Sequence, residues 1–162
     1  MIDEINLFNI KIHPWDMKTT IKLIERNIIN HKINMQHIVI NVAKLVNAQK
    51  DEALRQAIDN SDIVNIDGFP IFILLKMLGY DVTERVTGVD LFEELIKLCA
   101  QKGYRPYFFG ATTQVADAMV FIFKNKYPAL KIAGYRNGYF STDEEEKIAL
   151  EIKESKADML FL

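Results

Sequence analysis

From Ile5 to Leu162 the sequence alternates between two hydrophobic periods, and this alternation limits the possible folds more than any single motif does. Short strand-like runs, "QHIVIN", "SDIVNI", "RPYFFG", "LKIAGYR" and "DMLFL", are separated by stretches whose apolar residues recur every three or four positions. In "WDMKTTIKLIERNIIN", Ile21, Ile24 and Ile28 fall on one helical face. The spacing predicts further helices over Ala43 to Asn60, within "FPIFILLKMLG", after "DVTERVTGVD", from Thr113 to Tyr127, and through "STDEEEKIALEIKESKA". Pro70 lies near the start of the "FPIF" helix and Gly79 near its end, where those residues are favoured. A first strand is expected around Ile5 to Ile12. Such an order implies an α/β class: a Rossmann-like, mainly parallel sheet with helices on both faces and right-handed crossovers.

With 162 residues, 49% of them hydrophobic, the chain is long enough for one domain, 1–162, with a sizeable core. Its 20 basic and 22 acidic residues leave a net charge of −2, which gives no electrostatic ground for a nucleic-acid partner. Cys99 is the single cysteine, so no internal disulfide can form and a reducing compartment is expected. It falls in the amphipathic stretch "LFEELIKLCAQKG" and reads as a core residue. Asp3 and Glu4 stand where a signal peptide would carry basic residues, and the longest apolar run, "FPIFILLKMLGY", is interrupted by Lys76. That run is shorter than the roughly 20 residues of a membrane-spanning helix. Glu144, Glu145 and Glu146 suit the positive end of a helix dipole and read as solvated structure. His13, His31 and His37 have no metal-ligand spacing, and no G-x-S-x-G elbow occurs.

The chemistry concentrates where strands end. "SDIVNIDGFPI" is a buried-strand pattern that finishes on Asp67 and Gly68. Asp67 has two open readings: a cap for the next helix, or a carboxylate presented at the carboxyl end of a parallel strand, where α/β sheets bind ligands. Asn41 leaves the preceding strand in "NVAK", and "GATTQ" places Gly110, Thr112 and Thr113 before a helix that can offer N–H groups and hydroxyls to an anion such as a diphosphate. "GATTQ" lacks the spacing of a dinucleotide fingerprint or a P-loop and also fits an ordinary helix cap. Arg85, in "TERVTG", has the planar fork suited to phosphate, and equally the makings of a surface ion pair. "RNGYF" marks a fourth exit.

Taken in order, "NVAKLVNAQ", "DIVNIDGFPI", "ERVTGVDLFEEL", "YFFGATTQVADAM" and "KYPALKIAGYRNGYF" closely resemble the WecG/TagA/CpsF family of bacterial glycosyltransferases, over nearly the whole chain. The resemblance implies transfer of a sugar, typically of N-acetylmannosamine type, from a UDP donor to a polyprenyl-diphosphate-linked sugar, in the synthesis of wall teichoic acid or other surface polysaccharides. It also implies an inverting, metal-independent reaction with no cofactor, the UDP-sugar being a substrate. Asp67 matches the family's proposed base, Asn41 its pocket asparagine and Arg85 a phosphate- or acceptor-binding arginine. Gly110, Thr112 and Thr113 lie in the matching turn, where nucleotide-sugar binding is implied.

Two features depart from the family. Val39 stands where members often have Thr, two residues before the asparagine. The sequence also stops within "DMLFL", before the "G-x-P-K-Q-E" segment and C-terminal appendage that members carry, so it reads as a core lacking that segment. The implied setting is the inner face of the cell membrane, peripheral in the full-length form, and the two apolar segments "FPIFILLKMLGY" and "DMLFL" predict a homo-oligomer. The competing readings are a non-catalytic nucleotide-sugar-binding remnant of the family and an unrelated Rossmann-like nucleotide-binding module.

Overall fold

The computed structural model of the chain describes residues 4–30 and 34–162, so the expectations attached to Asp3 and His31 lie outside it. The chain divides into two compact units, one running through Phe92 and the other from Glu93 to Leu162.

The first unit opens with a hairpin. Strands β1 (Ile5–Leu7) and β2 (Ile10–Ile12) pair antiparallel, Ile5 opposite Ile12. The sequence pattern predicts one strand over this region, but Phe8 and Asn9 take positive φ values of 51° and 61° and reverse the chain, as a two-residue hairpin requires. Asparagine tolerates that conformation and phenylalanine ordinarily does not, which hides the turn from a reading by residue type. Helix α1 (Met17–Ile29) follows, its start capped by Asp16, whose carboxylate accepts the Thr19 N–H at 2.7 Å.

Strands β3 (His37–Ile40) and β4 (Ile63–Ile66) then pair in parallel, His37 beside Ile63. Between them the helix expected over Ala43 to Asn60 is two helices, α2 (Val42–Asn47) and α3 (Glu52–Asp59). Asp51 starts the second by accepting the Leu54 N–H at 3.0 Å. Its carboxylate satisfies a backbone donor that a continuous helix would have paired with a carbonyl.

All four residues of β4 are buried, as parallel strands covered by helices are. Ile40, Val64 and Ile66 from the strands meet Ile5, Ile10 and Ile12 from the hairpin and Ile71 and Leu75 from helix α4 (Phe69–Met77). The buried Asn65 is satisfied inside this core. Its Oδ1 accepts the Thr20 hydroxyl at 3.2 Å and lies 2.9 Å from His37 Nε2, while its amide donates to the Trp15 carbonyl at 3.4 Å. His13 ties the hairpin to β4, donating its N–H to the Val64 carbonyl at 2.8 Å and accepting the Val64 N–H on Nδ1 at 2.9 Å. Helix α5 (Gly88–Lys102) begins in this unit and ends in the next.

In the second unit, β5 (Pro106–Phe109) lies between β6 (Gly134–Arg136) and β7 (Met159–Phe161), all parallel. Helix α6 (Thr113–Lys126) connects β5 to β6, and α7 (Glu145–Glu154), entered through a 3-10 turn at Thr142–Glu144, connects β6 to β7. Phe108 stacks on both Phe123 and Phe161. Cys99 is fully buried with its Sγ 3.7 Å from Met159 Sδ, and burial pushes its thiol up to about 12, as expected of a core residue. The Glu144 carboxylate accepts both the N–H and the hydroxyl of Ser141, at 3.0 and 3.1 Å, and meets Arg136, contacts that hold it below the usual carboxylate range. Parallel strands linked through helices in both units make this a Rossmann-like α/β protein, with an antiparallel hairpin added at its start.

Candidate functional site

In the first unit the ends of β3 and β4 are locked together. The Ile40 carbonyl accepts two N–H groups, from Asp67 at 3.0 Å and Gly68 at 3.3 Å. A Cβ placed on Gly68 would stand 3.2 Å from Asn41 Cα, so the two exits touch because residue 68 has no side chain.

Asn41 caps α2, its Oδ1 accepting the Lys44 N–H at 2.9 Å. Its amide nitrogen makes no hydrogen bond among the described residues. Asp67, by contrast, caps nothing. The residue at the head of α4 is Gly68, and no side chain caps that helix. Among the described residues the half-buried Asp67 carboxylate makes neither a hydrogen bond nor an ion pair. Of its two readings, the capping role is not the one it plays.

The "TERVTG" loop is held at nearly every residue. Glu84 accepts the Met17 N–H at 2.6 Å, at the head of α1. Val86 is buried and donates its N–H to the Ile66 carbonyl at 2.8 Å. Thr87 starts α5, its hydroxyl donating to the Asp90 carboxylate and accepting the Asp90 N–H at 3.1 Å. Between these anchors the exposed Arg85 reaches the Asp67 carbonyl at 3.3 Å, and its guanidinium lies over the Phe69 ring at 5.9 Å. An arginine held on an aromatic face, with one N–H group on a backbone carbonyl, leaves most of its donors free for an anion.

In the second unit the β5 and β6 exits close on one another. Gly110 donates its N–H to the Arg136 carbonyl and Gly138 donates to the Ala111 carbonyl, both at 3.0 Å. Gly110 and Ala111 take positive φ values of 150° and 56°, the local distortion that turns the chain from β5 into α6. Thr112 caps α6, accepting the Val115 N–H at 3.4 Å, so the helix-cap reading of "GATTQ" holds for this residue. Thr113 is the first residue of the helix and is exposed. The structure thus brings Asn41, Asp67 and Arg85 together in the first unit, and Gly110, Thr112 and Thr113 together in the second.

The family model described as "Glycosyl transferase WecG/TagA/CpsF family" matches residues 5–162. The chain belongs to this family. Curated relatives agree. A Bacillus subtilis (strain 168) protein named N-acetylglucosaminyldiphosphoundecaprenol N-acetyl-beta-D-mannosaminyltransferase is 26% identical over 156 residues, 96% of this chain and 60% of that relative. A protein of the same name from Bacillus spizizenii (strain ATCC 23059 / NRRL B-14472 / W23) is 29% identical over 71% of this chain and 44% of its own length. One from Staphylococcus aureus (strain NCTC 8325 / PS 47) is 22% identical over 98% of this chain and 62% of its own. The chain therefore spans less than two thirds of these relatives.

Three residues of the first unit were missed by sequence reasoning. Phe69 supports Arg85 from beneath, and its place directly after "DG" was the only signal of it. Lys44 sends its Nζ back to the Val39 carbonyl at 3.0 Å, putting a cation beside the β3 exit. Its position three residues after the Asn41 cap was legible as a first-turn residue. Glu84 fixes the loop through α1, a long-range bond with no local signature. Among the described residues no three His, Cys, Asp or Glu side chains gather in a group fit to hold a metal ion, and no helix is long and apolar enough to cross a membrane.

Proposed function

We propose that the protein, in its full-length form, transfers N-acetylmannosamine from a UDP donor to N-acetylglucosamine carried on a polyprenyl diphosphate, a step in wall teichoic acid or related surface-polysaccharide synthesis. The observation that carries the reading is the match of the whole described core to the glycosyltransferase family, with the family's expected base at a strand exit and free of other bonds. The acceptor hydroxyl gives its proton to the Asp67 carboxylate as its oxygen attacks the anomeric carbon. The bond from that carbon to the UDP oxygen breaks, UDP leaves with the electron pair, and the anomeric configuration inverts. Arg85 holds a phosphate of the acceptor or donor, and Asn41 contacts the sugar through its amide. Thr112 and Thr113 offer N–H groups and hydroxyls to the nucleotide sugar, and Gly110, its own N–H held by the Arg136 carbonyl, gives the turn that lets the ligand come close. No metal or cofactor enters this scheme.

Attachment at the inner membrane face comes with the lipid-linked acceptor. The reading also includes a homo-oligomer, supported by the exposed Val115, Phe121 and Ile122 on α6. The test is a panel of labelled UDP-sugars with a polyprenyl-diphosphate-linked N-acetylglucosamine acceptor, run beside calorimetry with UDP. Transfer from UDP-N-acetylmannosamine is expected. No transfer from any UDP-sugar by the full-length protein overturns the reading, and UDP binding without transfer makes the protein a nucleotide-sugar-binding member of its family.

A further inference from the structure

Helix α4 has an outer side that its own core does not use. Phe69, Ile73 and Met77 recur every four residues and line one face. All three are exposed, Met77 at 80%, whereas Ile71 and Leu75 on the inner side are buried. Leu78 extends the exposed run past the end of the helix. Contiguous apolar surface of this kind marks a place where something apolar docks.

The order of groups along the helix identifies the occupant. At its head stands the Asp67 carboxylate, free of bonds among the described residues. Next comes Arg85, bonded to the Asp67 carbonyl and seated on the Phe69 ring. From that ring the stripe runs to Met77, about 12 Å at the helical rise. Lys76 flanks it, its ammonium 5.1 Å from the Phe72 ring centre. A base, a cation and an apolar track in sequence match a molecule with a hydroxyl-bearing head, an anionic linker and a long hydrocarbon tail. A second copy of the chain or a bilayer would require the stripe but not this order.

We propose that the outer face of α4 carries the hydrocarbon tail of the acceptor, its first isoprene units lying along Phe69, Ile73 and Met77 while Arg85 holds the diphosphate. This rests on the functional reading above and adds the place of the tail. The test measures binding of farnesyl diphosphate, below its micelle concentration, against inorganic diphosphate by calorimetry, in the wild-type protein and in the Ile73→Gln/Met77→Gln double variant. Both side chains are exposed, so the core is left intact.

Farnesyl diphosphate is expected to bind at least about tenfold tighter than inorganic diphosphate, from apolar area removed from water. That ratio should fall to near one in the double variant. A ratio near one in the wild type, or one the double variant does not change, overturns the proposal. Should the variant keep the ratio but alter the sedimentation coefficient or the binding to phosphatidylglycerol vesicles, the face belongs to a second copy or to the bilayer, and the proposal falls. The two readings fail separately. Sugar transfer without a farnesyl preference removes the tail track alone, and a farnesyl preference that depends on Ile73 and Met77 without any sugar transfer removes the transferase reading alone.

Discussion

Asp67 and Asn41 sit at neighbouring strand exits and divide their roles differently. Asn41 spends its carbonyl oxygen on the Lys44 N–H, so Asn41→Ala should lower stability by about 1 kcal/mol, while Asn41→Asp keeps the cap. Urea midpoints of the two variants check this. The backbone of Asp67 is engaged with Ile40 and its carboxylate with nothing described, so Asp67→Asn should leave the urea midpoint and UDP binding close to wild type. Turnover of the full-length protein should nonetheless fall by about 10²–10⁴, the usual worth of a general base. Near-wild-type turnover in transfer assays would return Asp67 to a structural role. Legibility differs between the two residues as well. The strand pattern ending in "DG" marked Asp67 for attention, but whether its carboxylate would cap α4 depended on the backbone path at Gly68, which no residue type announces.

At the scale of elements, the hairpin, β3 and β4 are joined through two histidines with little room for charge. Burial lowers the pKa of His37, aided by repulsion from Lys44 and opposed by its bond to Asn65. Burial also lowers that of His13, aided by Lys11 and opposed by Glu4. Both folded values thus lie below the ordinary 6.5, so between those values and 6.5 the unfolded chain binds more protons and stability rises with pH. The stabilisation is complete above 6.5 and is lost as pH falls toward the folded values. The urea midpoint should therefore drop between about pH 7 and pH 5, before the carboxylates lowered at Asp16 and Glu144 titrate in their own, more acidic range. A midpoint flat across that interval would show that the histidines are not held neutral. None of this network was legible in the sequence, because Asn65 lies 28 residues from His37 and 45 from Thr20.

For the whole molecule, exposed Val115, Phe121 and Ile122 on α6 and exposed Leu160 in β7 predict self-association. Sedimentation at tens of micromolar should show a species larger than 18.7 kDa, and a clean monomer removes the homo-oligomer from the functional reading. The sequence by itself determined the α/β class, because strand-like and helix-like hydrophobic periods are local properties of the chain. It determined the placement of α4 through Pro70 and Gly79, the core position of Cys99 through the amphipathic spacing of α5, and the family through an ordered set of motifs. Only the tertiary structure decided that residues 5–12 form a hairpin, that α2 and α3 are separate, and that Arg85 rests on Phe69 beside an Asp67 with no capping duty. Those outcomes rest on backbone reversals and on contacts between residues far apart in the chain, whose energies depend on the folded arrangement and leave no period in the sequence.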